Sequence, residues 1–195
     1  MSLTLYTNPK SRGQIARWML EEVGETYITV ALDYGTTMKS PDYLKINPMG
    51  KVPAIVHDGK VVTETAAICA YLADAFPEKN LAPALNDRAD YYRWLFFTAG
   101  PLEHAVTNRT LGTNPTQEQQ GFVGYGDYDR VINVLEQALT DKDFITGSQF
   151  TAADVYIGSQ LYWGTQFKTI PLRPAFEAYL NKLHQRPAFQ KAMRG

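Results

Sequence analysis

Val52-Pro53-Ala54-Ile55-Val56-His57-Asp58-Gly59-Lys60-Val61-Val62-Thr63-Glu64-Thr65 is the stretch that decides the fold. Val52–Val56 and Lys60–Thr63 each read as a short apolar strand, and Asp58-Gly59 between them is a strong two-residue hairpin signal. From Glu64 the pattern turns helical, with Ile68, Cys69, Leu72, Ala73 and Phe76 falling on one face. Upstream, Leu3-Thr4-Leu5-Tyr6 alternates like a strand and is closed by Asn8-Pro9. Ser11 is placed to cap a helix whose apolar positions Ile15, Trp18, Met19 and Val23 follow the 3.6-residue period, and Gly24 suits its end. Tyr27–Leu32 reads as a second strand, and a short helix is expected over Pro41–Ile46. The order is β-α-β-α-β-β-α, a compact α/β unit over residues 1–76.

Residues 77–86 carry two prolines and no clear period, and read as a linker. Every strong signal in residues 87–195 is helical. Tyr91, Trp94, Leu95, Thr98 and Leu102 share one face, and Val131, Val134, Leu135 and Ala138 form a later stripe. Thr116 with Gln119 and Thr151 with Asp154 have capping-box spacing. Pro174 and Pro187 stand where two last helices begin. Gly121, Gly124 and Gly126 each cost about 1 kcal/mol inside a helix, so the helix holding the later stripe is expected to start late or bend there.

Composition narrows the function. Lys and Arg number 19 and Asp and Glu 20, a formal charge of −1 that argues against a nucleic-acid binder. A single cysteine, Cys69, excludes an intramolecular disulfide framework, and His57, His104 and His184 are too scattered for a zinc site. No run reaches the ~18 consecutive apolar residues of a membrane span, and no basic-then-apolar leader opens the sequence, which predicts a soluble cytoplasmic protein.

Four pieces, in this order, resemble a cytosolic glutathione S-transferase of bacterial type: Ser11-Arg12-Gly13, Asn47-Pro48-Met49-Gly50-Lys51-Val52-Pro53, Glu64-Thr65, and Thr151-Ala152-Ala153-Asp154. The resemblance covers essentially the whole chain. It implies an α/β thioredoxin-like N-terminal domain, an all-α C-terminal domain and a homodimer. It also implies glutathione as co-substrate, with no other cofactor and no metal, and a hydrophobic electrophile as second substrate. In such proteins the Val-Pro bond is cis and the residue before the proline pairs its backbone with the cysteinyl unit of glutathione. On local sequence alone, an ordinary trans proline opening a strand is the favoured reading of Pro53, and only the surrounding pattern reverses it.

Carried onto this sequence, the resemblance gives Lys51, Val52, Pro53, Glu64 and Thr65 to glutathione. Glu64 and Thr65 sit where a strand passes into a helix, whose free N–H groups suit a carboxylate; a plain capping pair is the structural alternative. The thiol must also be ionised. A free thiol has a pKa of about 8.5, and lowering it by two units takes about 2.7 kcal/mol. A hydroxyl hydrogen bond to an anion supplies about 1.5–3 kcal/mol and a helix N-terminus about 0.3–1. Ser11 is the first candidate for that hydroxyl, with Tyr6, Arg12 or backbone donors as alternatives. Ser11 also reads as a simple helix cap, and Tyr6 as a strand aromatic packed in the core. No cysteine stands near residues 9–12, which argues against exchange through a protein mixed disulfide.

The electrophile side is expected between the domains, with Pro9 and Lys10 on one wall and Phe97 and Leu102 on the other. Conjugation is the leading activity. A glutathione-dependent peroxidase or disulfide reductase, and a non-catalytic binding protein of the same fold, are the alternatives.

Overall fold

A computed structural model describes residues 2–194. Among them the chain forms two compact units. The first runs to Leu81 and resumes at Gln185; the second is Ala82–His184.

The first unit is built on a four-stranded sheet in the order β2-β1-β3-β4, from β1 (Leu3–Thr7), β2 (Ile28–Ala31), β3 (Ala54–His57) and β4 (Lys60–Thr63). β1 lies parallel to β2 and antiparallel to β3, and β3 is antiparallel to β4. The Asp58-Gly59 hairpin forms as the sequence predicts. Its two residues have φ of 46° and 79° between the paired His57 and Lys60, the left-handed values a type I′ turn needs. Helix α1 (Gly13–Val23) buries Ile15, Ala16, Trp18, Met19, Leu20 and Val23, and ends at Gly24, whose N–H reaches the Leu20 carbonyl oxygen. A short α2 (Pro41–Leu44) is capped by Ser40, and α3 (Thr65–Ala75) buries Ile68, Cys69, Leu72 and Ala73.

The second unit holds α4 (Ala89–Phe97), α5 (Glu103–Thr110), α6 (Tyr128–Leu139), α7 (Ala152–Gln166) and α8 (Pro174–His184). A π turn over Thr98–Leu102 joins α4 to α5. Pro101 inside it has no N–H to give a helix ladder, which accounts for the wider turn. The Thr98 hydroxyl donates to the Trp94 carbonyl oxygen at 2.7 Å. Helix α6 starts late, as the glycines predict, with Asp127 as its cap; Thr116 and Gln119 do pair, but only around a short 3-10 turn. Helix α7 is buried along most of its length and carries the Thr151–Asp154 capping box. The Asp154 carboxylate also accepts from Ile145 N–H and the Tyr179 hydroxyl, both at 2.8 Å.

One part of the chain groups otherwise than its sequence position suggests. Helix α9 (Pro187–Met193) belongs with the first unit, not with the helical half that the sequence predicts over residues 87–195. The reason is side-chain chemistry: Phe189 meets Trp18 edge-on at 5.0 Å, Arg186 grips Glu22, and Lys191 pairs with Glu21 at 2.6 Å. The supposed linker is also partly ordered, with short 3-10 turns at Pro77–Lys79 and Leu85–Asp87. Among the described residues no helix is long and apolar enough to cross a membrane.

Candidate functional site

The register of the sheet creates the site. Tyr6 lies opposite Ala54, and Ala54 opposite Thr63. With strands about 4.8 Å apart, this row spans roughly 10 Å. Three segments therefore leave the sheet at one end: Asn8–Arg12 after β1, Lys51–Pro53 before β3, and Glu64–Thr65 after β4. Because β1 and β4 both end there, α1 and α3 both begin there, and each N-terminus brings partial positive charge; in α1 the Gly13, Gln14 and Ile15 N–H groups already bond to the Ser11 hydroxyl and the Ser11 and Arg12 carbonyls. The three segments carry Lys10, Arg12 and Lys51 against one carboxylate, Glu64. This is a place for an anionic ligand.

Ser11 stands just ahead of α1, half-buried. Its hydroxyl donates to the Asn8 carbonyl oxygen at 2.6 Å and accepts from Gly13 N–H at 3.0 Å. Ser11 thus satisfies a first-turn N–H from one position ahead of the N-cap, and its hydroxyl oxygen lies at the helix start. The rest of the loop is held by Asn8, a buried residue given no role by the sequence reading beyond closing the strand. Its side-chain amide donates to the Leu32 carbonyl oxygen at 2.8 Å and its side-chain oxygen accepts from Lys10 N–H at 2.9 Å. An asparagine bonding two residues onward is the recognised turn signal that could have found it. Arg12 occupies the N-cap position of α1 and is exposed, as are Pro9 and Lys10.

Tyr6 is half-buried on β1, its ring 5.6 Å from that of Tyr43 in a small cluster with Leu32, Met38 and Ala54. Its packing is that of a strand aromatic. Val52-Pro53 is cis, as the resemblance implied. The β1–β3 ladder stops at Tyr6↔Ala54, so Val52 lies beyond it, packed by its side chain against the same cluster. Lys51 is exposed, and its carbonyl oxygen accepts from the Tyr43 hydroxyl and from the Asn47 side chain. Burial pushes the Tyr43 hydroxyl up to about 12, so it stays a protonated donor at neutral pH.

Glu64, exposed at the N-cap of α3, has φ 65° and ψ 121°. That conformation costs a residue with a side chain on the order of 1–3 kcal/mol and is typical of functional positions. The Glu64 side chain makes no capping bond. Thr65 opens α3 and is buried.

Phe97 and Leu102 belong to the second unit. Phe97 is half-buried against Trp94, their rings 5.2 Å apart. Leu102, the last residue of the π turn, is fully buried, so it offers no exposed surface for the electrophile contact expected of it. Cys69 is completely buried on α3, and burial pushes its thiol up to about 12.

Comparison with known proteins agrees with this arrangement. Residues 1–74 match the family described as Glutathione S-transferase, N-terminal domain, and residues 111–187 match Glutathione S-transferase, C-terminal domain. The chain is 28% identical to the glutathione S-transferase GstA of Escherichia coli O157:H7, covering 98% of this chain and 97% of that one. A glutathione transferase structure from Methylococcus capsulatus superposes with a TM-score of 0.81 at 30% identity, over 98% of this chain and 97% of the other. A sphingomonad glutathione S-transferase solved with glutathione gives 0.80 at 30% identity, with the same coverage. With both domains matched and both units formed, the chain is a transferase that belongs to the glutathione S-transferase family.

Proposed function

We propose that this protein binds glutathione on its first unit, holds the thiol as a thiolate at the start of α1, and adds it to hydrophobic electrophiles. The observation that carries the reading is the shared sheet end, where two helix N-termini and the Val52 backbone beyond the ladder converge. Glutathione has two carboxylates and one ammonium. The α3 N-terminus with Thr65 suits the γ-glutamyl carboxylate, Glu64 its ammonium, Val52 the cysteinyl backbone, and Lys51 the glycyl carboxylate.

The thiol then falls to Ser11 and the first turn of α1. To serve the sulfur, the Ser11 hydroxyl proton turns away from the Asn8 carbonyl, which keeps the Ser11 N–H as a donor at 3.1 Å. A hydrogen bond to the thiolate at about 1.5–3 kcal/mol, with the helix end adding about 0.3–1, accounts for a two-unit fall in thiol pKa. Arg12 adds positive field from the N-cap. The packing of Tyr6 on Tyr43 supports a structural role for that ring. In the reaction the thiol proton leaves to solvent and the sulfur lone pair forms the carbon–sulfur bond. The displaced electron pair goes to a leaving group or stays on the acceptor. Pro9 and Lys10, exposed beside Ser11, border the acceptor.

The burial of Cys69 favours conjugation over a mixed disulfide on the protein. We further propose that glutathione is a co-substrate and not a resident cofactor, and that the protein works in the cytoplasm as a homodimer, which sedimentation would test. The deciding experiment is a pH titration of thiolate ultraviolet absorbance for glutathione mixed with the protein. The bound thiol is expected to ionise about two units below the free value of about 8.5. Absence of any thiolate at neutral pH would overturn the reading, and peroxide turnover far above conjugation would replace it with a peroxidase.

A further inference from the structure

The loop entering Val52-Pro53 is held in an unusual way. Three successive carbonyls, those of Met49, Gly50 and Lys51, all accept from side chains of the preceding stretch. The Lys39 ammonium donates to Gly50 at 2.8 Å and Met49 at 3.3 Å. The Tyr43 hydroxyl and the Asn47 amide both donate to Lys51, at 2.5 and 2.8 Å. The Asn47 side-chain oxygen accepts from Met49 N–H at 3.1 Å, closing the turn. Tyr43 and Asn47 are buried, so neither is a solvated surface contact.

Gly50 shows how closely the loop is pressed onto its support. Its φ is +56°, and a Cβ there would lie 2.8 Å from the Lys39 ammonium and 3.0 Å from the Met38 carbonyl oxygen. An ammonium ordinarily seeks water or a carboxylate. Lys39 instead serves two neutral carbonyls, those of exposed Met49 and buried Gly50. What these bonds add is shape. The residue they deliver is Val52, whose side chain packs on the cluster containing Tyr43.

We propose that Lys39 and Tyr43 are positioning residues for the peptide ligand: they fix Met49–Lys51 so that the Val52 backbone meets an extended peptide without first ordering the loop. This inference rests on the glutathione reading above. A preshaped loop saves the ordering cost of binding, so its loss weakens affinity without touching the sulfur chemistry.

The test uses the full chain with Lys39→Met, Lys39→Arg and Tyr43→Phe, the last keeping the ring in its cluster. Calorimetry with glutathione, steady-state conjugation and the thiolate titration are run on each. Lys39→Met is expected to raise Kd and KM for glutathione roughly tenfold and Tyr43→Phe severalfold, with kcat and the bound-thiol pKa unchanged and Lys39→Arg close to wild type. If the wild-type protein itself does not bind glutathione, the functional reading falls and takes this inference with it. If the wild type binds and both Lys39→Met and Tyr43→Phe bind as tightly, the inference alone is overturned. It is equally overturned if only Lys39→Met loses affinity and the loss disappears in high salt, because Lys39 then acts as a charge on the ligand.

Discussion

The Glu22 carboxylate and the Arg186 guanidinium meet through two hydrogen bonds of 2.7 Å, although 164 residues separate them in the chain. Glu22 also accepts from the Trp18 indole at 2.9 Å, and its side chain is only 6% exposed. The last helix is thereby fastened to α1, whose other end borders the candidate site. Arg186→Ala is expected to lower stability by about 2 kcal/mol, within the range for hydrogen bonds to charged groups after allowing for the partial exposure of Arg186. Lys191→Ala should cost less than about 1 kcal/mol, since its ammonium is largely in water. Urea unfolding of the two variants measures both; equal midpoints for Arg186→Ala and wild type would show that the pair stabilises nothing.

Gly13 lies where α1 crosses β1. A Cβ added there would stand 1.9 Å from the Thr7 hydroxyl oxygen and 2.9 Å from that of Ser11. Thr7 is buried and β-branched, so it cannot simply swing away. Gly13→Ala is expected to destabilise by about 1–3 kcal/mol, the usual cost of overpacking. It should also weaken glutathione binding, because the start of α1 is displaced. A thermal melt and a calorimetric titration check the two effects, and an unchanged melt would mean that the helix start tolerates the shift.

Ser11→Ala removes both the donor to Asn8 and the acceptor for Gly13 N–H. Stability should fall by about 1 kcal/mol, as for loss of a cap. If Ser11 also serves the thiolate, the pKa of bound glutathione rises by one to two units, about 1.4–2.7 kcal/mol. A fall in stability with an unmoved thiol pKa would assign ionisation to the backbone donors and Arg12.

Cys69 is buried in the apolar face of α3, and that burial pushes its pKa up to about 12. It stays protonated across the neutral range in the folded state and is unreactive there. A thiol reagent at pH 8 is expected to leave the native protein unmodified and to label one site per chain in urea. Rapid labelling without denaturant would show that α3 opens.

Much of this was legible in residue order, because the signals are local. The Asp58-Gly59 turn, the Thr151–Asp154 box and the late start of α6 after Gly126 each depend on residues a few positions apart. The conformational preference of the backbone reads them directly. Four motifs in order likewise pointed to the family. What residue order left open lies at long range. Residue order does not choose among the acidic residues for Arg186; only the packed core brings Glu22 to it and moves α9 out of the helical half. Leu102 is apolar enough for either a pocket or a core, and the structure buries it fully. The hold of Lys39, Tyr43 and Asn47 on the loop before Val52 uses main-chain carbonyls, which every residue carries alike. No pattern of side chains announces it. Local chemistry therefore wrote the strands, turns and caps into the sequence, and only the tertiary structure chose which side chain completes which backbone.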